Sequence, residues 1–321
     1  MLIGTVIFSA SGGLSEVLIS PVIAAIPSKN PEREMSKLHS TYAWGVVIVI
    51  ILGTLFLFGV GESNWQWIIL AFTSIPLLAS VLFIRAKIPE LQSTEKASGV
   101  SEFLKKKDMW ICVFAIFLGG ATECTMAQWS SSYIEQALGI PKVLGDIFGV
   151  ALFGLMLALG RTLYSKYGKK ITKVLLAGAI GAVVCYFTAA ISPSPVLALI
   201  ACALTGFCAS MLWPGTLVVA SERFPDGGVF IYAMMAAGGD FGASVGPQLV
   251  GIISDAALTN QSLIEIAQRI SITPEQLGMK LGMLIGMLFP FIAIFIYLYI
   301  MKKFTAEKKE KGELNESDNQ Y

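Results

Sequence analysis

The chain has 321 residues, 55% hydrophobic and 14% charged, with a mean hydropathy of +0.70, well above what a single water-soluble core requires. A net charge of +1 is uninformative about nucleic acid, but the basic residues lie in short clusters between apolar blocks instead of along one face, and no nucleic-acid partner is expected. One histidine, His39, and five cysteines scattered through apolar segments leave no metal cluster, no histidine-based triad and no disulfide framework, and no cofactor is expected.

Apolar blocks long enough to cross a hydrocarbon core of about 30 Å lie, in chain order, at residues 1–26, 40–60, 66–85, 109–134, 143–164, 172–191, 195–220, 229–254 and 279–301. They predict an all-α membrane protein with nine transmembrane helices. The first block has no basic leader and carries Glu16 and Pro21 inside it, so it reads as a mature span. The polar stretch 86–108 reads as a linker between a three-helix bundle, 1–85, and a six-helix bundle, 109–303. Residues 255–278 form a second long connection, expected to hold a short amphipathic helix at the membrane surface. The charged tail 304–321 is expected to be disordered.

Alternate connections hold all of the 23 Lys and Arg residues except Lys142, Arg269 and Lys280. Basic loops stay on the cytoplasmic side, so the linker and the carboxyl tail are expected there, in a multi-pass protein of the plasma membrane.

A repeat accounts for the odd number of helices. Gly13, Pro21 and Gly45 fall on Gly206, Pro214 and Gly238 at an offset of 193 residues. Two parallel six-helix repeats are the plan of the major facilitator transporters. The stretches "GGLSEVLISPVIAAIP" from Gly12, "LHSTYAWG" from Leu38 and "GRTLYSKYGKK" from Gly160 are similar to that superfamily, and within it to the fucose permease-like sugar/proton symporters. The resemblance implies helical bundles of the major facilitator type, with the present segments corresponding to three helices of an incomplete N-terminal bundle and all six of the C-terminal one.

Three carboxylates lie near the centres of apolar blocks: Glu16, Glu123 and Asp240. Ionisable groups at membrane depth are costly and mark proton or substrate pathways, so all three are candidates for proton coupling or substrate contact. The resemblance assigns Glu16 to the fourth-helix glutamate that takes part in proton coupling and sugar binding. Glu123 and Asp240 rest on depth alone.

Gln128, Trp129 and Ser130 follow Glu123 on the same block, with Trp213 and Gln248 on others. An indole face with amide and hydroxyl neighbours suits a sugar, and these five are candidate cavity residues. Gly238, Gly242 and Gly246 recur every four residues and predict close helix packing around Asp240. Arg161, Lys166, Gly168, Lys169 and Lys170 resemble the superfamily's cytoplasmic loop signature, with Ser165 at its acidic position. "GASVG" at 242–246 matches a nucleophile-elbow pattern, but inside an apolar helix with no histidine nearby it carries no catalysis, and an enzyme is not expected.

The reading that results is a monomeric secondary active transporter of a small polar solute, sugar among the candidates, coupled to protons by alternating access in the lipid bilayer. Two alternatives stay open: an efflux antiporter for amphipathic compounds, and a truncated fragment that does not transport.

Overall fold

The computed structural model describes residues 2–91 and 97–310. Within lipid every backbone polar group needs an internal partner, which leaves helices as the only open-ended solution. The chain obliges with α1 (Leu2–Ala25), α2 (Pro31–Val60), α3 (Trp65–Arg85), α4 (Ala97–Lys105), α5 (Lys107–Leu138) and α6 (Lys142–Gly145). A π-helical turn, Asp146–Ala151, leads into α7 (Leu152–Tyr167), followed by α8 (Ile171–Ile191), α9 (Pro195–Ala209) and α10 (Leu212–Arg223). The chain then forms α11 (Gly228–Thr259), α12 (Gln261–Arg269) and α13 (Pro274–Glu310). Among the described residues nine segments are long and apolar enough to span a membrane.

Local chemistry sets several ends. Pro31 opens α2 at a position where its missing N–H costs nothing, and Glu32 and Glu34 follow in the first turn. Ser194 caps α9 by accepting from the Leu197 N–H. Gly139 stops α5 at a left-handed φ of 68°. The expected amphipathic helix is α12, capped by the Asn260 side chain, which accepts from the Ser262 and Leu263 amides.

α5 is the central column. It packs against α11, α13, α10 and α9, while α8 joins α9 to α13. The contact of α2 with α7, and of α1 with α11, ties the first helices to the rest. No residue of α3 is buried. One buried cluster lies toward the end of the bundle where the basic connections gather, and includes Met109, Phe224 and Tyr297. A second lies toward the opposite end and includes Tyr133, Phe153 and Met279.

The glycine stripe of α11 rides on α5. A methyl group on Gly238 would meet Val113, one on Gly242 would strike the Phe117 backbone, and one on Gly246 would strike Thr125 and the Ala121 backbone. The contacted residues 113, 117 and 121 advance in the same four-residue step as the glycines. The two backbones therefore approach along a whole seam, as small residues permit in lipid.

Two expectations change. The block 195–220 is two helices, α9 and α10, broken at Ser210–Met211. The tail, expected to be disordered from 304, continues α13 as far as Glu310, because its Lys- and Glu-rich sequence sustains the helix. Residues 311–321 lie outside the described part.

Candidate functional site at membrane depth

Glu123 on α5 is 8% exposed and Arg161 on α7 is 1% exposed. Arg161 Nη2 donates to Glu123 Oε2 at 2.7 Å. The guanidinium also donates from Nε to the Ser210 carbonyl at 2.9 Å and from Nη1 to the His39 carbonyl at 3.2 Å. The helix break explains the first of these acceptors. Pro214 has no N–H to return to the carbonyl four residues earlier, so the oxygen of Ser210 is free to take the arginine. One charged group thereby binds four helices: α7 to α5 by charge, to the end of α9 through Ser210, and to α2 through His39.

α2 adds further ties along α7. Ser36 donates to the Arg161 carbonyl at 2.8 Å, the Ser40 and Thr162 hydroxyls meet at 2.6 Å, and the Trp44 indole donates to Thr162 at 3.2 Å. Nearer the basic end, Tyr164 donates to Glu32 Oε2, and Arg33 donates twice to the Gly168 carbonyl, at 3.2 and 3.3 Å. The α2–α7 seam is closed on that side of the protein. His39 is 9% exposed and its Nε2 has no hydrogen-bond partner.

Glu16 on α1 is half-buried. Its carboxylate faces the Trp213 indole and lies within electrostatic reach of Asp240, Glu123 and Arg161. Asp240, on α11, is exposed. Among the described ion pairs none involves Glu16 or Asp240. Trp213 is 8% exposed because its ring occupies a slot between Gly120 and Gly239, where a methyl on either would collide with it. Gly120, ahead of Glu123, and Gly239, ahead of Asp240, thus seat the indole beside the acids.

The structure places Gln128, Trp129 and Gln248 together. With Ser132, Ser244 and Asp255 they line a crevice of about 470 Å³ between α5 and α11. It opens toward the end opposite the basic connections, and the Trp129 indole is fixed by donation to the Pro247 carbonyl at 2.9 Å. Ser130 is elsewhere: it is fully buried on another side of α5, where Gly149 of the π turn packs against it. Of the loop group, Lys166, Lys169 and Lys170 are exposed near the basic end, and Gly168 takes Arg33. Arg161 is not in that loop. It sits two turns inside α7.

Sequence reading therefore separated the two halves of one ion pair. A signal was available. Arg161 shares its helix face with Leu157, Ala158 and Tyr164, each 5% exposed or less, and a lone arginine on an apolar face needs an internal partner.

The family model for the Major Facilitator Superfamily matches residues 1–247. The chain belongs to the Major Facilitator Superfamily. Three solved structures of this fold are similar. FucP in the outward conformation shares 16% identity and a TM-score of 0.63, covering 87% of this chain and 72% of that one. A variant of the E. coli fucose:proton symporter FucP gives 15% identity and a TM-score of 0.66, covering 91% and 76%. A bacterial homologue of the human lysosomal transporter Spinster, inward-facing and occupied, gives 15% identity and a TM-score of 0.55, covering 88% and 73%. No curated protein matches the chain in sequence. At these identities the structural likeness establishes the fold, and the relatives are transporters and not enzymes.

Proposed function

We propose that this major facilitator protein is a proton-coupled secondary transporter of a small polar solute, with Glu123 as the proton-responsive group. The observation that carries this reading is the sealed Glu123–Arg161 pair. Arg161 holds α2 through the His39 carbonyl, so the charge on Glu123 sets the strength of the α2–α7 seam. Protonation of Glu123 removes the counter-charge, lets the guanidinium move, and loosens the seam. A carboxyl whose protonation state selects one of two arrangements couples a proton gradient to alternating access.

The basic end, with Lys166, Lys169 and Lys170, is assigned to the cytoplasm by its charge, which puts the carboxyl terminus there in a plasma-membrane protein. The closed seam then faces inward and the Gln128–Gln248 crevice outward, which is the sense of an outward conformation, and FucP in an outward conformation is among the similar structures. Glu16 and Asp240 stand at the level of the ion pair as solute or proton contacts, and Trp129, part-exposed in the crevice, offers aromatic surface to the solute, while Trp213 is held in its glycine slot. A sugar agrees with the crevice amides and with the fucose:proton symporter among the structural neighbours.

The test is accumulation of labelled sugars and other small polar solutes in proteoliposomes under an imposed pH gradient. Accumulation above the external level for at least one solute, lost on adding a protonophore and lost in Glu123→Gln, supports the reading. Equal uptake with and without the gradient overturns it.

A further inference from the structure

His39 acts on the closed seam twice, and the two effects oppose each other. Its backbone carbonyl takes Arg161 Nη1 at 3.2 Å, which draws α2 onto α7. Its side chain does the reverse. The imidazole Nε2 is enclosed with no hydrogen-bond partner among the described residues. The surface of that atom is covered by protein, so water does not reach it, and no other segment of chain can supply a partner without displacing what already covers it. A neutral imidazole has one donor and one acceptor nitrogen, and in either role Nε2 is a polar atom left dry.

Position explains the enclosure. Met35, Ser36, His39, Ser40, Ala43 and Val47 are the buried residues of α2, spaced to share one side of the helix, and α2 packs on α7 and α10. The polar neighbours of His39 are engaged elsewhere. Ser36 donates to the Arg161 carbonyl at 2.8 Å and lies 3.6 Å from Met211 Sδ, and the Ser40 hydroxyl meets Thr162 at 2.6 Å.

An enclosed polar atom without a partner destabilises the arrangement that encloses it. When α2 parts from α7 and α10, water reaches Nε2 and the penalty is lifted, so this atom favours the open seam. The Arg161 contacts and the two serine hydroxyls favour the closed one. Alternation needs both arrangements to be visited, and neither can be favoured so strongly that the other vanishes.

We infer that the His39 side chain is a positioning residue that sets the balance between the closed and open α2–α7 seam, its unpartnered nitrogen keeping the closed arrangement from becoming permanent. This rests on the transport reading in that the seam must open, but it concerns a group other than Glu123 and operates at constant pH.

The experiment uses the full chain in nanodiscs at one fixed pH, with spin labels at Lys37→Cys and Lys169→Cys, both exposed, and compares His39→Leu with the parent by pulsed electron resonance. Leucine fills a similar volume and has no polar atom to leave unsatisfied. The ratio of short to long distances is expected to rise about tenfold, the order that one unsatisfied buried polar atom commands, and the melting temperature is expected to rise with it. Replacing a side chain that matters only for packing moves both readings the other way, because the contact loosens. His39→Gln, which keeps a polar end in the same place, should stay close to the parent's ratio. His39→Met is a second apolar replacement if leucine prevents folding.

A His39→Leu ratio equal to the parent's or shifted toward long distances, a lower melting temperature, the same tightening in His39→Gln, or failure of both apolar variants to fold would overturn the inference. A parent with one distance population at every pH would instead overturn the opening of the seam, and the melting comparison would then decide whether the His39 side chain burdens the closed arrangement.

Discussion

Arg161 reaches Glu123 across the α5–α7 interface with a 2.7 Å hydrogen bond, and the side chains of the pair are 2% and 11% exposed. Removing one member strands the other. Glu123→Ala leaves a guanidinium buried without its counter-charge, which costs about 3–5 kcal/mol where buried pairs have been broken. The variant should melt well below the parent in detergent. Glu123→Gln, which keeps an acceptor for Arg161, should lose much less stability while losing coupling. Melting curves for the two variants separate the structural role from the coupling role, and equal, small losses in both would show that the pair carries little of either.

The seam between α2 and α7 can be locked. The Ser40 and Thr162 hydroxyl oxygens lie 2.6 Å apart, so paired Ser40→Cys and Thr162→Cys thiols are within disulfide reach. Oxidation should block solute accumulation and reductant should restore it. Crosslinked protein that transports at the parent rate would mean that the seam does not open.

Helix contact along α11 depends on hydrogen in place of a methyl. Gly242→Ala drives a carbon into the Phe117 backbone, which cannot swing aside as a side-chain tip would. Overpacking of this kind costs about 1–3 kcal/mol. Gly12→Ala, on α1 with open space around it, should leave the melting temperature close to the parent. Thermal melting of both variants checks the contrast, and an unaffected Gly242→Ala would contradict the close approach.

Near the basic end, Asp108 on α5 accepts from Arg223 Nη2 at 2.7 Å and is paired as well with Lys303 of α13. Asp108→Asn removes the shared counter-charge and leaves two cations together, which should cost about 2 kcal/mol at low salt. Because Arg223 and Lys303 are 24% and 33% exposed in their side chains, added salt should recover part of the loss. A loss that does not respond to salt would indicate a packing defect instead.

Hydropathy made the helices legible, since crossing lipid demands long apolar runs and few other chain features produce them. Depth in the membrane marked Glu123, and the four-residue glycine spacing marked the α11 seam. What the pattern concealed was pairing. Arg161 stood close enough to Lys166 and Lys169 to read as one more loop cation, and nothing in a linear sequence connects it to a carboxylate 38 positions earlier. Ser210 became an acceptor only through the break ahead of Pro214. Ser130 shared a block with Gln128 and Trp129, yet helical rotation turned it into the core while the crevice took its neighbours.

The central claim is that the protonation of Glu123 decides whether the α2–α7 seam is open. Spin labels at Lys37→Cys on α2 and Lys169→Cys after α7, both exposed, report the distance across that seam by pulsed electron resonance in nanodiscs. The account predicts two distance populations, with the longer one growing in acidic buffer, and a Glu123→Gln variant that shows the long-distance population at every pH. A single distribution, the same in acid and in mild alkali and unmoved by Glu123→Gln, would contradict it.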